Sequence, residues 1–143
     1  MAEEIDKLFE KEQDISSHLK ELGIILLDIS DSTKQKLSRD DMAQVKELLT
    51  TFAMHCEAMC EDITSGEATL KTIRAKRVAF KDSALDTKEL KQHLSEVKAA
   101  VKNLKENAKL FLIAKNRELV FQEMNKDYSE VLGSLTELIA ESV

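Results

Sequence analysis

Between positions 42 and 80 an apolar residue recurs at alternating steps of three and four, and this periodicity constrains the fold more than any other feature. A repeat of about 3.5 residues held over so many turns keeps one face of a helix directed at partner helices. It predicts one long helix over 40–81 with coiled-coil-like packing. The stripe consists of Met42, Val45, Leu49, Phe52, Cys56, Met59, Ile63, Leu70, Ile73 and Phe80.

The composition extends this helical prediction to the whole chain. The 143 residues contain no proline and only three glycines, so the two commonest interrupters of helices are nearly absent. Aromatic residues make up 4% and charged residues 34%, which is typical of helical bundles rather than of sheets. We therefore expect an all-α protein with a single domain spanning 1–143.

Cap signals and register divide the chain into three predicted helices, at about 3–36, 40–81 and 87–140. Ser38 and Asp41 form a capping box that opens the second helix, and Asp86 is a candidate cap for the third. The stripe resumes in the same register after Gly66, which favours a continuous second helix. Because short connections join antiparallel neighbours, we expect an elongated antiparallel three-helix bundle with a long C-terminal helix.

The third predicted helix changes its apolar register beyond Phe111. The segment 112–119 contains neither glycine nor proline, so we expect a bend or a rotated apolar face rather than a turn. At ~1.5 Å per residue an unbroken helix over 87–140 spans roughly 80 Å and overhangs the other two. Its exposed apolar face then needs a cover: a second copy, a different helical chain, or a fold-back into a fourth helix.

These uncovered residues are the candidate partner site. A short apolar segment of the first helix, 22–29, is also part of the candidate site, because three of its side chains lie off the apolar stripe of that helix. Such a segment is either clamped within a bundle or docks a partner. The candidate partner-binding residues are Leu119, Phe121, Met124, Tyr128, Val131, Leu135, Leu138, Ile24, Ile25 and Leu27.

A basic patch lies in an otherwise acidic chain. The net charge of −6 argues against nucleic acid as a partner, since phosphate backbones bind basic surfaces. The patch suits an acidic partner or an anionic membrane surface. We favour the simpler interpretation, in which the acidic start of the first helix returns to the same end and offsets it. The basic residues are Lys71, Arg74, Lys76, Arg77 and Lys81.

Catalytic and metal-binding patterns are missing from the sequence. The three histidines stand apart, without a nearby acid, cysteine or serine at a spacing typical of a catalytic or metal site. Cys56 and Cys60 are expected to be buried, reduced thiols. We therefore expect no enzyme activity, no cofactor and no metal. The longest apolar cluster is too short to span a bilayer and the acidic start does not resemble a signal peptide, so we expect an intracellular, cytoplasmic protein.

The functional prediction is a non-enzymatic interaction or adaptor subunit. It would assemble with another helical chain, in a homo- or hetero-oligomer, through the C-terminal half of the third helix. The alternative is a helical binding module, either a secretion-type chaperone or a binder of anionic membrane surfaces through 71–81. The helical pattern resembles, in a general way, small coiled-coil subunits of intracellular assemblies and the three-helix regulatory domains of syntaxin-like proteins. That resemblance rests on no specific residue and implies no site.

Overall fold

The computed structural model describes residues 2–33, 36–80 and 87–142, and within these ranges four α-helices pack against each other in an all-helical bundle. The side chains of 2, 5, 76–80, 87 and 138–142 lie outside this description. The elements are α1 (Ala2–Ile29), one 3-10 turn (Ser30–Ser32), α2 (Arg39–Phe80), α3 (Thr87–Leu110) and α4 (Arg117–Ser142).

Consecutive helices run antiparallel, as the polar contacts between them show. Between α1 and α2, Lys11 Nζ lies 3.6 Å from Asp62 Oδ1. Seven residues further along α1, His18 Nδ1 lies 2.9 Å from His55 Nδ1, which precedes Asp62 by seven residues on α2. The partner number falls on α2 as the residue number rises on α1. This contact pattern confirms the predicted hairpin of the first two helices.

The helices at the α2–α3 and α3–α4 interfaces are antiparallel as well. Lys98 Nζ lies 3.1 Å from Glu67 Oε1, and Lys105 Nζ lies 3.8 Å from Glu57 Oε1. In α3 and α4, Asn107 Nδ2 donates to Asp127 Oδ2 over 3.3 Å, while His93 Nε2 lies 3.3 Å from Glu137 Oε2. The helices therefore alternate in direction around the bundle.

The core contains most of the predicted apolar stripe. On α2, every stripe position from Val45 to Ile73 is buried, whereas Met42 in the first turn is exposed. Helix α2 continues through Gly66, as its resumed register predicts. The central buried side chains are Leu8, Ile15, Leu22, Phe52, Met59, Ile63, Leu94, Val101, Phe111, Met124 and Val131.

The prediction of one long C-terminal helix over 87–140 is wrong, because the chain folds back after Leu110. The amide of Ala114 donates to the Leu110 carbonyl over 2.9 Å, which ends α3 in a tight turn. Asn116 then caps α4, since its Oδ1 accepts from the Leu119 amide over 3.3 Å. Glycine and proline are not needed for this turn. The register change near 112–119 therefore marks two helices, and the fold is a four-helix bundle.

The first helix is also shorter than predicted. It ends at Ile29 rather than near 36, and the hydroxyl of Ser30 donates to the Leu27 carbonyl over 2.7 Å. Side chains that bond to nearby carbonyls in this way compete with helical hydrogen bonds. The predicted cap at Ser38 is confirmed, because its Oγ accepts from the Asp41 amide over 3.1 Å. The cap predicted at Asp86 falls outside the described residues.

Candidate functional site

The seam between α1 and α4 closes the bundle, and it is the least tightly packed of the four seams between adjacent helices. No short loop joins these two helices, because they are the first and last in the chain. At the end of α1, Arg117 Nε donates to the Ser32 carbonyl over 2.8 Å. This bond fixes the start of α4 beside the end of α1.

Further along the seam, the ring of Tyr128 lies directly on the backbone of α1. A Cβ atom at Gly23 would lie 2.6 Å from Tyr128 Oη and 3.1 Å from its Cζ. Real Cβ atoms do not approach another heavy atom that closely, so a side chain at position 23 would require the Tyr128 ring to shift.

Beside this contact a shallow groove of about 560 Å³ runs along the surface. Ile24 is 45% exposed and Leu27 is 75% exposed, and both line it from α1. Phe121 and Tyr128 line it from α4 and are half-buried. The groove is therefore an apolar surface open to solvent. We call it the α1/α4 groove, and it is lined by Lys20, Gly23, Ile24, Leu26, Leu27, Ser30, Phe121, Asn125 and Tyr128.

Charge is sparse along the α1/α4 groove, although charged residues make up 34% of the chain. Lys20 is the one charged residue among those that line it, and Ser30 and Asn125 supply uncharged polar groups. Within the described part of the chain, the Lys20 ammonium forms no ion pair. The groove thus combines an apolar surface with one unpaired positive charge at its edge.

The predicted partner residues divide into two groups. Four of them, Ile25, Met124, Val131 and Leu135, are buried in the bundle's own core. The fold-back at Leu110 explains this, because it covers the surface that an extended third helix would have exposed.

Five of the remaining predicted residues have described side chains, and none of these is in the core. Ile24, Leu27, Phe121 and Tyr128 come together in the α1/α4 groove. Leu119 is 58% exposed but does not line this groove. The side chain of Leu138 belongs to the part that the structure does not describe.

Sequence reasoning missed Gly23, Lys20 and Asn125 as parts of the same surface. Gly23 carried a usable signal, since a glycine inside a helix costs roughly 1 kcal/mol relative to alanine and so indicates a close approach of another element. Lys20 and Asn125 carried none, because an exposed polar residue on a helix is unremarkable by itself.

The predicted basic patch is only partly described. Lys71 and Arg74 are exposed on α2, and Lys91 of α3 joins them around a depression of about 300 Å³. The side chains of 76–80 and residue 81 are outside the described part. The start of α1 lies toward this end of the bundle, because Leu8 packs beside Gly66 of α2. Its Glu3 lies 3.9 Å from Lys7 of the same helix, so this ion pair does not involve the patch.

Both cysteines are free thiols packed between α2 and α3. Cys56 is buried, and burial raises the pKa of its thiol to about 12. Cys60 is half-buried, and burial raises its pKa as well, although Lys102 and Lys98 oppose that shift. Thiols are nucleophiles and metal ligands only as thiolates, so these two are poor candidates for either role.

Two acidic side chains are buried, which the sequence did not indicate. Glu12 occupies a core position of α1 between Leu8 and Ile15. Asp127 is 6% exposed, and burial raises the pKa of its carboxyl, while the hydrogen bond from Asn107 opposes the shift. Among the described residues, no three histidine, cysteine or acidic side chains are placed to hold a metal ion.

Comparisons of the chain with family models, with curated proteins and with solved structures found no match. Within the described ranges, none of the helices has both the length and the apolar character that crossing a bilayer requires.

Proposed function

We propose that this protein is a non-enzymatic adaptor that binds an amphipathic helix of another protein in the α1/α4 groove. The observation that carries the proposal is the exposure of Leu27 and Ile24 beside Phe121, along the seam that the bundle closes least tightly. Exposed apolar side chains grouped along one groove are typical of interaction surfaces, whereas single ones are not.

A helix suits this groove because of its geometry. Two antiparallel helices present parallel ridges, and a third helix can lay its own side chains between them at an axis distance of about 8–10 Å. Helix-in-groove recognition places apolar residues of the ligand at every third or fourth position. Since Lys20 is the one charged residue of the lining, little charge has to be desolvated.

Lys20 also indicates the charge of the partner. An acidic residue on the bound helix, placed at the edge of its apolar face, would pair with this ammonium. The partner helix is therefore expected to carry an apolar stripe flanked by at least one aspartate or glutamate.

The proposed occupant is a helix of a different chain rather than a second copy of this one. Helices α1, α3 and α4 already direct their apolar faces into the bundle, as Leu22, Val101 and Val131 illustrate. A second copy could offer a free amphipathic helix only by opening its own core. Self-association is accordingly the competing outcome of the experiment.

Photo-cross-linking in cells tests the proposal at the groove itself. The probe is p-benzoylphenylalanine, placed at Leu27 in one variant and at Leu119 in a matched control. Both positions are exposed apolar leucines, but only Leu27 lines the groove. The cross-linked segment is identified by mass spectrometry, synthesised as a peptide, and titrated into the wild-type chain and a Leu27→Gln variant.

The proposal predicts one cross-linked protein from position 27 that is missing from position 119. Its cross-linked segment should form an amphipathic helix, and Leu27→Gln should weaken peptide binding roughly ten- to a hundredfold, because a buried leucine contributes about 1.5–3 kcal/mol. Equal cross-linking from both positions, or a cross-link to a second copy of this chain, would contradict it.

A further inference from the structure

A second surface, far from the α1/α4 groove along the sequence, carries an unusual concentration of positive charge. It lies between the C-terminal half of α2 and the start of α3. Lys71 and Arg74 approach from α2 and Lys91 approaches from α3 around a depression of about 300 Å³, with Leu70 and Glu67 completing its lining. The sequence predicted the α2 members of this cluster, and it also predicted a lysine ridge on the third helix, with Lys91 in it, that a hairpin of the second and third helices would bring to the same end.

Two other lysines of α3, Lys98 and Lys105, differ from Lys91 in having an acidic partner on α2. Lys98 pairs with Glu67 at 3.1 Å, and Lys105 pairs with Glu57 at 3.8 Å. These two ion pairs show that Lys98 and Lys105 help to hold α3 against α2. They also engage Glu67, the one acidic residue that lines the depression.

Lys71, Arg74 and Lys91 have no such acidic partner. Among the residues that the structure describes, none of the three forms an ion pair. The helix dipole does not account for them either, since it favours cations only in the last turn of a helix and α2 continues to Phe80.

The dipole of α3 does not account for Lys91 either, since Lys91 lies in the second turn of that helix and the dipole acts within the first. Three unpaired cations around one depression repel each other, and a bound anion removes that repulsion.

We infer that Lys71, Arg74 and Lys91 form a binding site for a phosphoryl group, supplied either by a small phosphorylated molecule or by a lipid headgroup. The planar guanidinium of Arg74 matches two phosphoryl oxygens, and the two ammonium groups supply charge-assisted hydrogen bonds. The depression is large enough for one phosphate group and its ester carbon, and Leu70 offers the ester an apolar contact. This site is independent of the proposed helix-binding function.

Titration of the full chain with glycerol phosphate, followed by amide chemical shifts, tests the site for soluble ligands. Vesicles of phosphatidylcholine with and without phosphatidic acid test the lipid source by co-sedimentation. The variants are Lys91→Gln and Arg74→Gln, and the matched control is Lys105→Gln. All three substitutions remove one positive charge, but Lys105 already has an acidic partner, Glu57, and does not line the depression.

The expected result is a set of shifts confined to the amides of 67–75 and 88–95. Binding should weaken roughly tenfold in Lys91→Gln and in Arg74→Gln, because each removes a charge-assisted hydrogen bond, and much less in Lys105→Gln. Binding of glycerol phosphate identifies a soluble ligand, and binding restricted to phosphatidic acid vesicles identifies a headgroup.

Two results would overturn the inference. One is the lack of any binding to either probe at low salt. The other is an equal loss of binding in all three variants, which would mean that only the overall charge of the chain attracts the anion.

Discussion

The hydroxyl oxygen of Tyr128 lies 2.6 Å from the position that a Cβ atom on Gly23 would occupy. The Tyr128 ring can therefore occupy this position against α1 because residue 23 has no side chain. The same contact forms one wall of the α1/α4 groove, since both residues line it. The packing of the fourth helix and the shape of the proposed binding surface thus depend on one pair of residues.

Substitution of the glycines tests this dependence. Gly133 of α4 has no atom near its missing Cβ, so Gly133→Ala should stabilise the chain by up to about 1 kcal/mol through helix propensity. Gly23→Ala gains the same propensity but must displace Tyr128, which costs roughly 1–3 kcal/mol. Urea denaturation should therefore show that Gly23→Ala is less stable than Gly133→Ala.

A double-mutant cycle assigns that difference to Tyr128. In a Tyr128→Ala background the clash is gone, so Gly23→Ala should become stabilising. If Gly23→Ala had the same effect on the free energy of unfolding with and without the tyrosine, the two residues would not be coupled in the way described.

The groove and the core should respond differently to substitution of a leucine or methionine. Leu27 is 75% exposed, so Leu27→Gln should change the free energy of unfolding by no more than about 0.5 kcal/mol. Met124 is fully buried, and Met124→Ala should cost about 2–5 kcal/mol. Thermal denaturation distinguishes the two, and a large loss of stability in Leu27→Gln would show that its side chain supports the fold.

The two thiols should react at different rates. Because burial raises the pKa of Cys56 to about 12, its thiolate fraction at neutral pH is roughly a thousandfold below that of a free thiol. Cys60 is half-buried and should react first with Ellman's reagent. In urea both should react quickly. Rapid reaction of Cys56 in the native chain would contradict its burial.

Because of Asp127, the chain should be more stable in mild acid than its other titratable groups alone predict. Its pKa is raised in the folded state, so folding favours the protonated carboxyl, and the stabilising effect is lost as the pH rises through the folded pKa. Asp127→Asn keeps an acceptor for Asn107 and removes the buried charge. It should stabilise the chain at pH 7 by roughly 0.5–1 kcal/mol, and the gain should shrink toward pH 4. An equal gain at both pH values would contradict this account.

The sequence was sufficient to predict the elements whose signals are periodic. The repeat from Val45 to Ile73 specifies a buried face of one helix, and Ser38 specifies where that helix begins. The turn after Leu110 was predicted only as an alternative, a fold-back into a fourth helix, because a segment without glycine or proline favoured a bend. The signal available was Asn116, a residue that commonly caps helices.

The candidate site was harder to predict than the fold, since a groove depends on which faces remain after packing. Apolar periodicity identifies residues that must be covered by another helix, but it does not show whether that helix belongs to the same chain. For this reason Phe121 and Tyr128 could not be separated from Met124 and Val131 until α4 was placed beside α1. Lys91 was easier to place, because the predicted hairpin of the second and third helices brings the lysines of the third helix to the basic residues of the second, and Lys91 does lie beside Lys71 and Arg74.

The most direct test of the account is the distance between α3 and α4. Spin labels at Lys102→Cys and Glu130→Cys, in a chain whose native cysteines are replaced by alanine, are measured by double electron–electron resonance. Both positions are exposed. If α4 folds back, adjacent helix axes lie about 8–10 Å apart, and the label distance should be roughly 20 Å. A distribution centred near ~42 Å, the length of a continuous helix between these positions, would contradict the four-helix bundle and with it the α1/α4 groove.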